Sequence, residues 1–268
     1  MLRLKVGAVH LSYVDKGSGD PILFIPGLIG LAAQWSHQVD YFAKSHRAVA
    51  FDHRGVGHSD KPMQEYTTSL LAEDAVALLD ALRIGQAHIV GASTGGAIAQ
   101  VLGLDYPSRV RSLTLVSTWA RPDAYYRRVQ EMRKRVLLAM GVEPYIKLSS
   151  LWTAGPAQFR DMLAGLEADE AAQVEQAAPV GVMAARIDAT LTHDRLDHLP
   201  RITAPTIVVV ADDDILVLPY LGATIAAAIP GARLVRMREG GHNCFRRDPA
   251  GFNEILEQFL AAAPLTSA

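Results

Sequence analysis

The chain has 268 residues, half of them hydrophobic, which is enough for one sizeable core with room for an insertion. Its 26 basic and 28 acidic residues nearly cancel, to a formal net charge of −2, so there is no basic field for nucleic acid and no charged tail. The single cysteine, Cys244, excludes an internal disulfide and a cysteine-rich zinc site, and no run approaches the roughly 20 apolar residues of a membrane span.

Residues 2–6 and 10–14 alternate apolar and polar side chains around Gly7-Ala8, which predicts an antiparallel hairpin at a sheet edge. This opening segment lacks the continuous apolar core of a signal peptide, so a soluble cytoplasmic protein is expected. Residues 17–21 read as a turn. Residues 22–25 form an unbroken apolar run, the pattern of a strand buried on both faces, and end in the loop Pro26-Gly27-Leu28-Ile29-Gly30. Ser36 is expected to cap a helix reaching about Lys44. Residues 48–51 predict the next buried strand, followed by a Gly-rich turn from Asp52 to Asp60. That turn invites a metal or phosphate reading, but a structural one fits better: Asp52 and Arg54 tie down a tight loop that its glycines permit. Thr67 or Thr68 then caps a helix to about Leu82, with Leu71, Ala75, Leu78, Leu79 and Leu82 at helical spacing.

Residues 87–90 lead as a strand into Gly91-Ala92-Ser93-Thr94-Gly95-Gly96, and a nearly all-apolar helix follows. Strand, G-x-S-x-G and helix make the nucleophile-elbow pattern. A serine in such a strained turn projects its hydroxyl out of the backbone, and the chain passes so close to itself that the residues two away must be small. The helix beginning near Thr94 aims its free N–H groups and positive dipole end at the serine, where they stabilise an anion. Val110–Val116 is another strand. The alternation predicts a mostly parallel sheet with helices on both faces, and ligands bind such sheets beyond the C-terminal strand ends, where Ser93 and the 26–30 loop both lie.

From about Trp119 to Thr192 no buried strand is expected. A long helical stretch rich in Tyr and Arg spans residues 122–140, and shorter pieces follow, punctuated by Gly141, Pro144, Gly155-Pro156 and Pro179. This predicts a helical cap over residues 119–192, inserted into a core made of 1–118 and 193–268. The strand-helix alternation returns with a strand over 205–211, the triplet Asp212-Asp213-Asp214, a helix over 221–229 and a last strand at Arg233–Met237. The loop Glu239-Gly240-Gly241-His242-Asn243 and a final helix opened by Asp248-Pro249 complete the chain.

On these residues the chain resembles, from end to end, the α/β-hydrolase fold superfamily, which implies an α/β architecture with a mostly parallel eight-stranded sheet and a helical lid. The resemblance implies Ser93 as nucleophile. It implies an acid after a late strand in a D-x-x-V pattern, which Asp214-Ile215-Leu216-Val217 fits best, with Asp212 and Asp213 as alternatives. It implies His242, in a G-G-H loop after the last strand, as base; the order Ser, Asp, His is the family order. A serine hydroxyl is a weak nucleophile, so a neutral imidazole must take its proton, and a carboxylate fixes the imidazole tautomer. The backbone N–H groups of Thr94 and Leu28 are the implied oxyanion hole. Pro26-Gly27 stands where many relatives have His-Gly, so the internal bonding of that loop must differ. Trp35 with Gln38 resembles the W-x-x-Q that often follows it. A serine at the elbow argues against haloalkane dehalogenases and epoxide hydrolases, which place Asp there. No cofactor or metal is expected, since Gly55-x-Gly57 lacks the rest of a phosphate-binding pattern.

Within the superfamily the chain is similar to small bacterial catabolic hydrolases: 3-oxoadipate enol-lactonases, aminoacrylate or carbamate hydrolases of pyrimidine breakdown, acetamidomethylene-succinate hydrolases and meta-cleavage C–C hydrolases. The candidates for the substrate pocket are Trp119, Arg121, Trp152, Met183, Arg186 and Val217. If Arg121, Arg127, Arg128 or Arg186 faces the pocket, a carboxylate-bearing substrate is favoured. The expectation is a serine hydrolase of a small carboxylic ester, enol-lactone or activated amide, acting through an acyl-enzyme as a monomer or homodimer, with no nucleic-acid or membrane partner. Cleavage of a C–C bond in a vinylogous diketone by the same triad is an alternative, and a ligand receptor with little turnover is an alternative of another class.

Overall fold

The opening hairpin forms as β1 (Leu2–Val6) and β2 (Val9–Lys16), paired antiparallel with Leu4 opposite Leu11. After it come β3 (Pro21–Ile25), α1 (Ser36–Phe42), β4 (Arg47–Phe51), α2 (Thr68–Ala81), β5 (Ala87–Ala92), α3 (Thr94–Asp105) and β6 (Val110–Val116). Five helices follow before the next strand: α4 (Ala124–Met140), α5 (Val142–Thr153), α6 (Pro156–Asp161), α7 (Leu163–Glu175) and α8 (Val180–Thr192). The chain ends with β7 (Thr206–Ala211), α9 (Pro219–Ala228), β8 (Arg233–Met237), α10 (Cys244–Arg247) and α11 (Pro249–Ala262). The computed structural model describes residues 1–154 and 156–262, residues 156–158 by their backbone alone. The expected break at Gly155 and the last six residues of the expected core segment lie outside the described residues.

The eight strands form one sheet in the order β1-β2-β4-β3-β5-β6-β7-β8. β2 runs antiparallel to β4, and every neighbour from β4 to β8 is parallel. The two-residue period of the strands divides the core. Leu23 and Ile25 of β3 face a cluster with Leu71, Leu78 and Ile98 of α2 and α3, while Ile22 and Phe24 face Trp35, Phe42 and Phe252 on the α1 and α11 side. Both faces are therefore covered, as a parallel sheet with continuous apolar strands requires. α3 has its residues from Thr94 to Leu104 buried, which explains why its sequence is apolar all round rather than amphipathic.

Local signals account for most boundaries. Thr67 accepts the Leu70 N–H and caps α2; Asp123 accepts the Tyr126 N–H and caps α4. Ser36 does not cap. A 3-10 turn over Ala32–Trp35 precedes it, so Ser36 is already helical, and no side chain caps α1. The Gly-rich turn is structural. Asp52 accepts the N–H of Ala32 at 2.8 Å and of His58 at 3.0 Å, and Arg54 pairs with buried Asp74 of α2. Among the described residues no helix is long and apolar enough to cross a membrane.

The strand order reverses between β3 and β5: from β3 the chain steps to β4 on one side, then back to β5 on the other. The crevice beyond such a reversal is where open α/β sheets bind ligands. The loop after β3 carries Gly27 and Leu28; the turn after β5 carries Ser93.

Candidate active site

Ser93 has φ +54° and ψ −118°, a conformation L-residues rarely adopt. The neighbouring glycines make it possible. A Cβ on Gly91 would collide with the Gly95 carbonyl, one on Gly95 with the carbonyls of Ile25 and Pro26, and one on Gly96 with the Thr118 side chain. The Ser93 N–H donates to Val116 O at 2.8 Å, and Thr118 Oγ1 donates to Ser93 O at 2.7 Å, so the end of β6 and the loop just after it hold the strained residue from both ends. Thr94 opens α3, where a helix leaves its first N–H groups free. A Cβ built on Gly27 would lie 3.4 Å from Ser93 Cβ, so the loop after β3 passes directly over the serine. The Gly27 N–H donates to Gln34 Oε1 at 3.1 Å, which ties the loop back onto the turn that follows it.

The three consecutive aspartates have three different surroundings. Asp212 is half-exposed and pairs with Arg236 of β8. Asp213 accepts the N–H of Gly240 at 3.2 Å and of Gly241 at 2.8 Å, clamping the loop that carries His242. Asp214 is buried; its Oδ1 accepts the N–H of Leu216 at 2.9 Å and of Val217 at 3.0 Å, and its Oδ2 lies 2.9 Å from His242 Nδ1. Only Asp214 touches the imidazole. The W-x-x-Q residues also support this loop: Trp35 stacks on Phe245 at 4.1 Å, and Gln38 Nε2 donates to Phe245 O at 3.0 Å.

Ser93 and His242 line one cavity of about 50 Å³ at the crevice, together with Leu28 and Ile29 of the β3 loop. No well-formed hydrogen bond joins the serine hydroxyl to the imidazole; such bonds often tighten only when substrate is present. Gln130, Arg133, Ser149, Ser150 and Gln173, all from the inserted helices, supply a polar wall.

None of the expected pocket residues lines the cavity that holds Ser93 and His242. Trp119 is fully buried, stacks on Tyr126 at 4.3 Å and packs with Trp152 and Val217 in a cluster between α4 and the core, off the lining of the cavity. Arg121 points outward and pairs with Asp194 and Asp197 at 2.8 and 2.7 Å. Arg127 and Arg128 are exposed. Met183 and Arg186 line a second cavity of about 40 Å³, which shares Leu28, Ile29, Ile146 and Gln173 with the first.

Arg186 is buried but serves the loop rather than the cavity. From α8 it reaches down and donates to Leu28 O at 2.8 Å and Arg54 O at 2.6 Å. Its Nη2 lies 3.2 Å from His53 Nδ1; burial pushes that ring well below its ordinary pKa, which leaves it neutral and able to accept. Burial likewise lowers Arg186 to about 10. Gly30 and Gly55, both with positive φ, leave room for it: a Cβ on Gly30 would stand 2.9 Å from its Nη2, and one on Gly55 3.1 Å from its Cδ.

Arg133 and Gln130 escaped sequence reasoning. Their signal was present: Tyr126, Val129, Gln130, Arg133 and Leu137 share the buried face of α4 at helical spacing, and two of them are polar.

Comparison with known proteins identifies the fold family. The family model described as the alpha/beta hydrolase fold matches residues 20–246. The chain is 37% identical over 253 residues to RutD of Azorhizobium caulinodans, a protein named as a carbamate hydrolase, covering 94% of this chain and 96% of the relative. Among solved structures it is similar to a hydrolase from Pseudomonas aeruginosa PA01 (TM-score 0.89, 27% identity, 97% of both chains). It also resembles the enol-lactonase from Burkholderia xenovorans LB400 (TM-score 0.89, 24% identity, 97% of this chain and 100% of the other), a likeness of fold alone.

Proposed function

The chain belongs to the α/β-hydrolase fold family, and on that premise we propose that it is a hydrolase working through Ser93, His242 and Asp214. The observation that carries the reading is the conjunction at one cavity: a serine strained to φ +54° at an elbow, and a histidine whose Nδ1 meets buried Asp214 at 2.9 Å. Asp214 accepts the Nδ1 proton, which leaves Nε2 as the basic nitrogen facing the cavity. As Ser93 Oγ bonds to the acyl carbon, its proton passes to Nε2 and the carbonyl electron pair moves onto oxygen. That oxygen is met by the Leu28 and Thr94 N–H groups, each worth about 100- to 1000-fold in rate. Collapse of the tetrahedral adduct expels the leaving group, which takes the proton back from Nε2. Water then repeats the sequence on the acyl-enzyme and releases the acid.

The substrate is a small molecule: a short carboxylic ester, an enol-lactone, or an activated amide or carbamate. A role in breaking down a pyrimidine-type or ring-cleavage metabolite belongs to the same proposal, and the similarity to a protein named for carbamate hydrolysis supports the carbamate member of the substrate class. Helices α4–α8 act as the cap that closes the cavity and excludes water, and Arg186 fastens this cap to the oxyanion loop. The test is a stopped-flow burst with p-nitrophenyl acetate on the wild type and on Ser93→Ala. A burst near one equivalent, absent from Ser93→Ala, is expected; an equal burst from both variants contradicts the assignment.

A further inference from the structure

Among the described residues, Arg133 is a buried cation with no acid beside it, 3% exposed on the inner face of α4. Its three protein partners are neutral: Nε donates to Ser149 Oγ at 3.0 Å, Nη1 to Gln130 Oε1 at 2.9 Å and Nη2 to the Tyr145 hydroxyl at 3.3 Å. The Ser149 hydroxyl itself donates to Tyr145 O at 2.7 Å, so it is turned to accept from the guanidinium. These bonds leave two of the five guanidinium N–H donors without a protein acceptor. Among the described residues no carboxylate comes within 4 Å of it. The other two arginines nearby differ. Arg246 also lines the cavity, but Asp169 pairs with it at 3.0 Å; Arg186, which does not line it, spends its donors on the backbone carbonyls of Leu28 and Arg54.

A guanidinium cannot shed its proton, so an isolated one withdrawn from water is costly unless an anion joins it. Here the side chain opens onto the same cavity as Ser93 and His242. Resting on the reading of that cavity as the hydrolase site, we propose that Arg133 is its specificity determinant and that it binds a free carboxylate on the substrate. The class is a short acyl compound that carries, besides the bond to be cleaved, one carboxylate a few carbons away. The fork of N–H donors matches a carboxylate in two parallel bonds, and Ser149, Gln130 and Tyr145 hold that fork in place before substrate arrives. The 50 Å³ of the cavity suits a molecule of a few carbons, and its apolar part meets Leu28, Ile29 and Ile146.

The test uses the full chain carrying Ser93→Ala, which binds without turnover, and titration calorimetry with the monomethyl esters of malonate, succinate and glutarate. Each is compared with the matching methyl ester amide, equal in shape and uncharged. At least one acid is expected to bind about 30-fold or more tighter than its amide. Adding Arg133→Met is expected to cut that preference to about threefold or less, while Arg133→Lys, which keeps the charge without the fork, retains part of it. Circular dichroism shows whether the Met variant folds; if it does not, the Lys variant and the preference of Ser93→Ala decide. Equal binding of acids and amides, a preference that survives Arg133→Met, or equal weakening of both ligands, the mark of a structural role, each overturns the proposal. Fluorophosphonate labelling of the wild type tests Ser93 separately: loss of labelling would remove the hydrolase reading while the binding preference stands or falls by itself.

Discussion

Asp214→Asn separates the three aspartates more sharply than any other substitution. The two side chains are isosteric, so the backbone geometry survives. Oδ1 of Asp214 accepts two N–H groups, from Leu216 and Val217, which obliges the amide oxygen to stay there. The amide NH₂ then faces His242 Nδ1 across the 2.9 Å contact. A donor against Nδ1 makes that nitrogen the acceptor and moves the ring proton to Nε2, the tautomer that cannot take a proton from Ser93. With both side chains almost fully buried, water cannot correct the mismatch. The expected loss in kcat/KM is about 10⁴-fold, or about 5.5 kcal/mol of transition-state stabilisation, the size seen where a triad histidine is forced into the wrong tautomer. Asp213→Asn leaves one of the Gly240 and Gly241 N–H groups facing an NH₂, loosening the histidine loop at a cost of about tenfold. Asp212→Asn breaks only a half-exposed pair with Arg236 and stays within about twofold of the wild type. Burst amplitude and kcat/KM with p-nitrophenyl acetate, with circular dichroism to confirm folding, measure all three. Asp214→Asn within tenfold of the wild type, or Asp213→Asn the more damaging, would refute the tautomer argument.

Arg186→Met removes two charge-assisted bonds to loop carbonyls, so stability is expected to fall by about 2–4 kcal/mol in urea unfolding. Because Leu28 N–H shifts with its loop, kcat falls about tenfold or more with a smaller change in KM; an unchanged kcat would show that the strap does not position the oxyanion donor. His88, buried on β5 with its Nδ1 2.7 Å from Ser112 Oγ, is lowered by desolvation to about 4. Its folded pKa lies below the unfolded one, so its contribution is intact above about pH 6.5 and is lost as pH falls towards 4. Between pH 7.5 and 4.5 it costs about 2–3 kcal/mol, and His88→Gln is expected to reduce the acid destabilisation by that amount. An unchanged pH dependence in the variant would remove His88 as the cause.

The core was legible because burial on two faces writes itself into strands as apolar runs, and the runs at residues 22–25, 48–51 and 206–211 are too short for helices. The elbow was legible for the same reason in reverse: only glycine fits at 91 and 95, so the motif is a steric record of the turn. The aspartate triplet was not resolvable, because three adjacent residues of one type differ only in which way the loop turns each, and that depends on β8 and the 240–241 backbone. The inserted helices were the hardest. Periodicity gives each helix a buried face but not what that face is buried against, so Arg121 proved to face solvent and Arg186 to grip the loop after β3. Arg133 lay on the apolar stripe of α4, and a charge there is the sign that a stripe borders a cavity rather than a core.

The proposed triad requires an acyl-enzyme on Ser93, with the cavity groups assembled around it. Rapid-quench mass spectrometry after mixing the protein with p-nitrophenyl acetate tests it most directly. One added acetyl group per chain is expected at early times, located by peptide mapping on the segment containing Ser93 and absent from Ser93→Ala. An adduct on another residue, or turnover by Ser93→Ala at the wild-type rate, would contradict it.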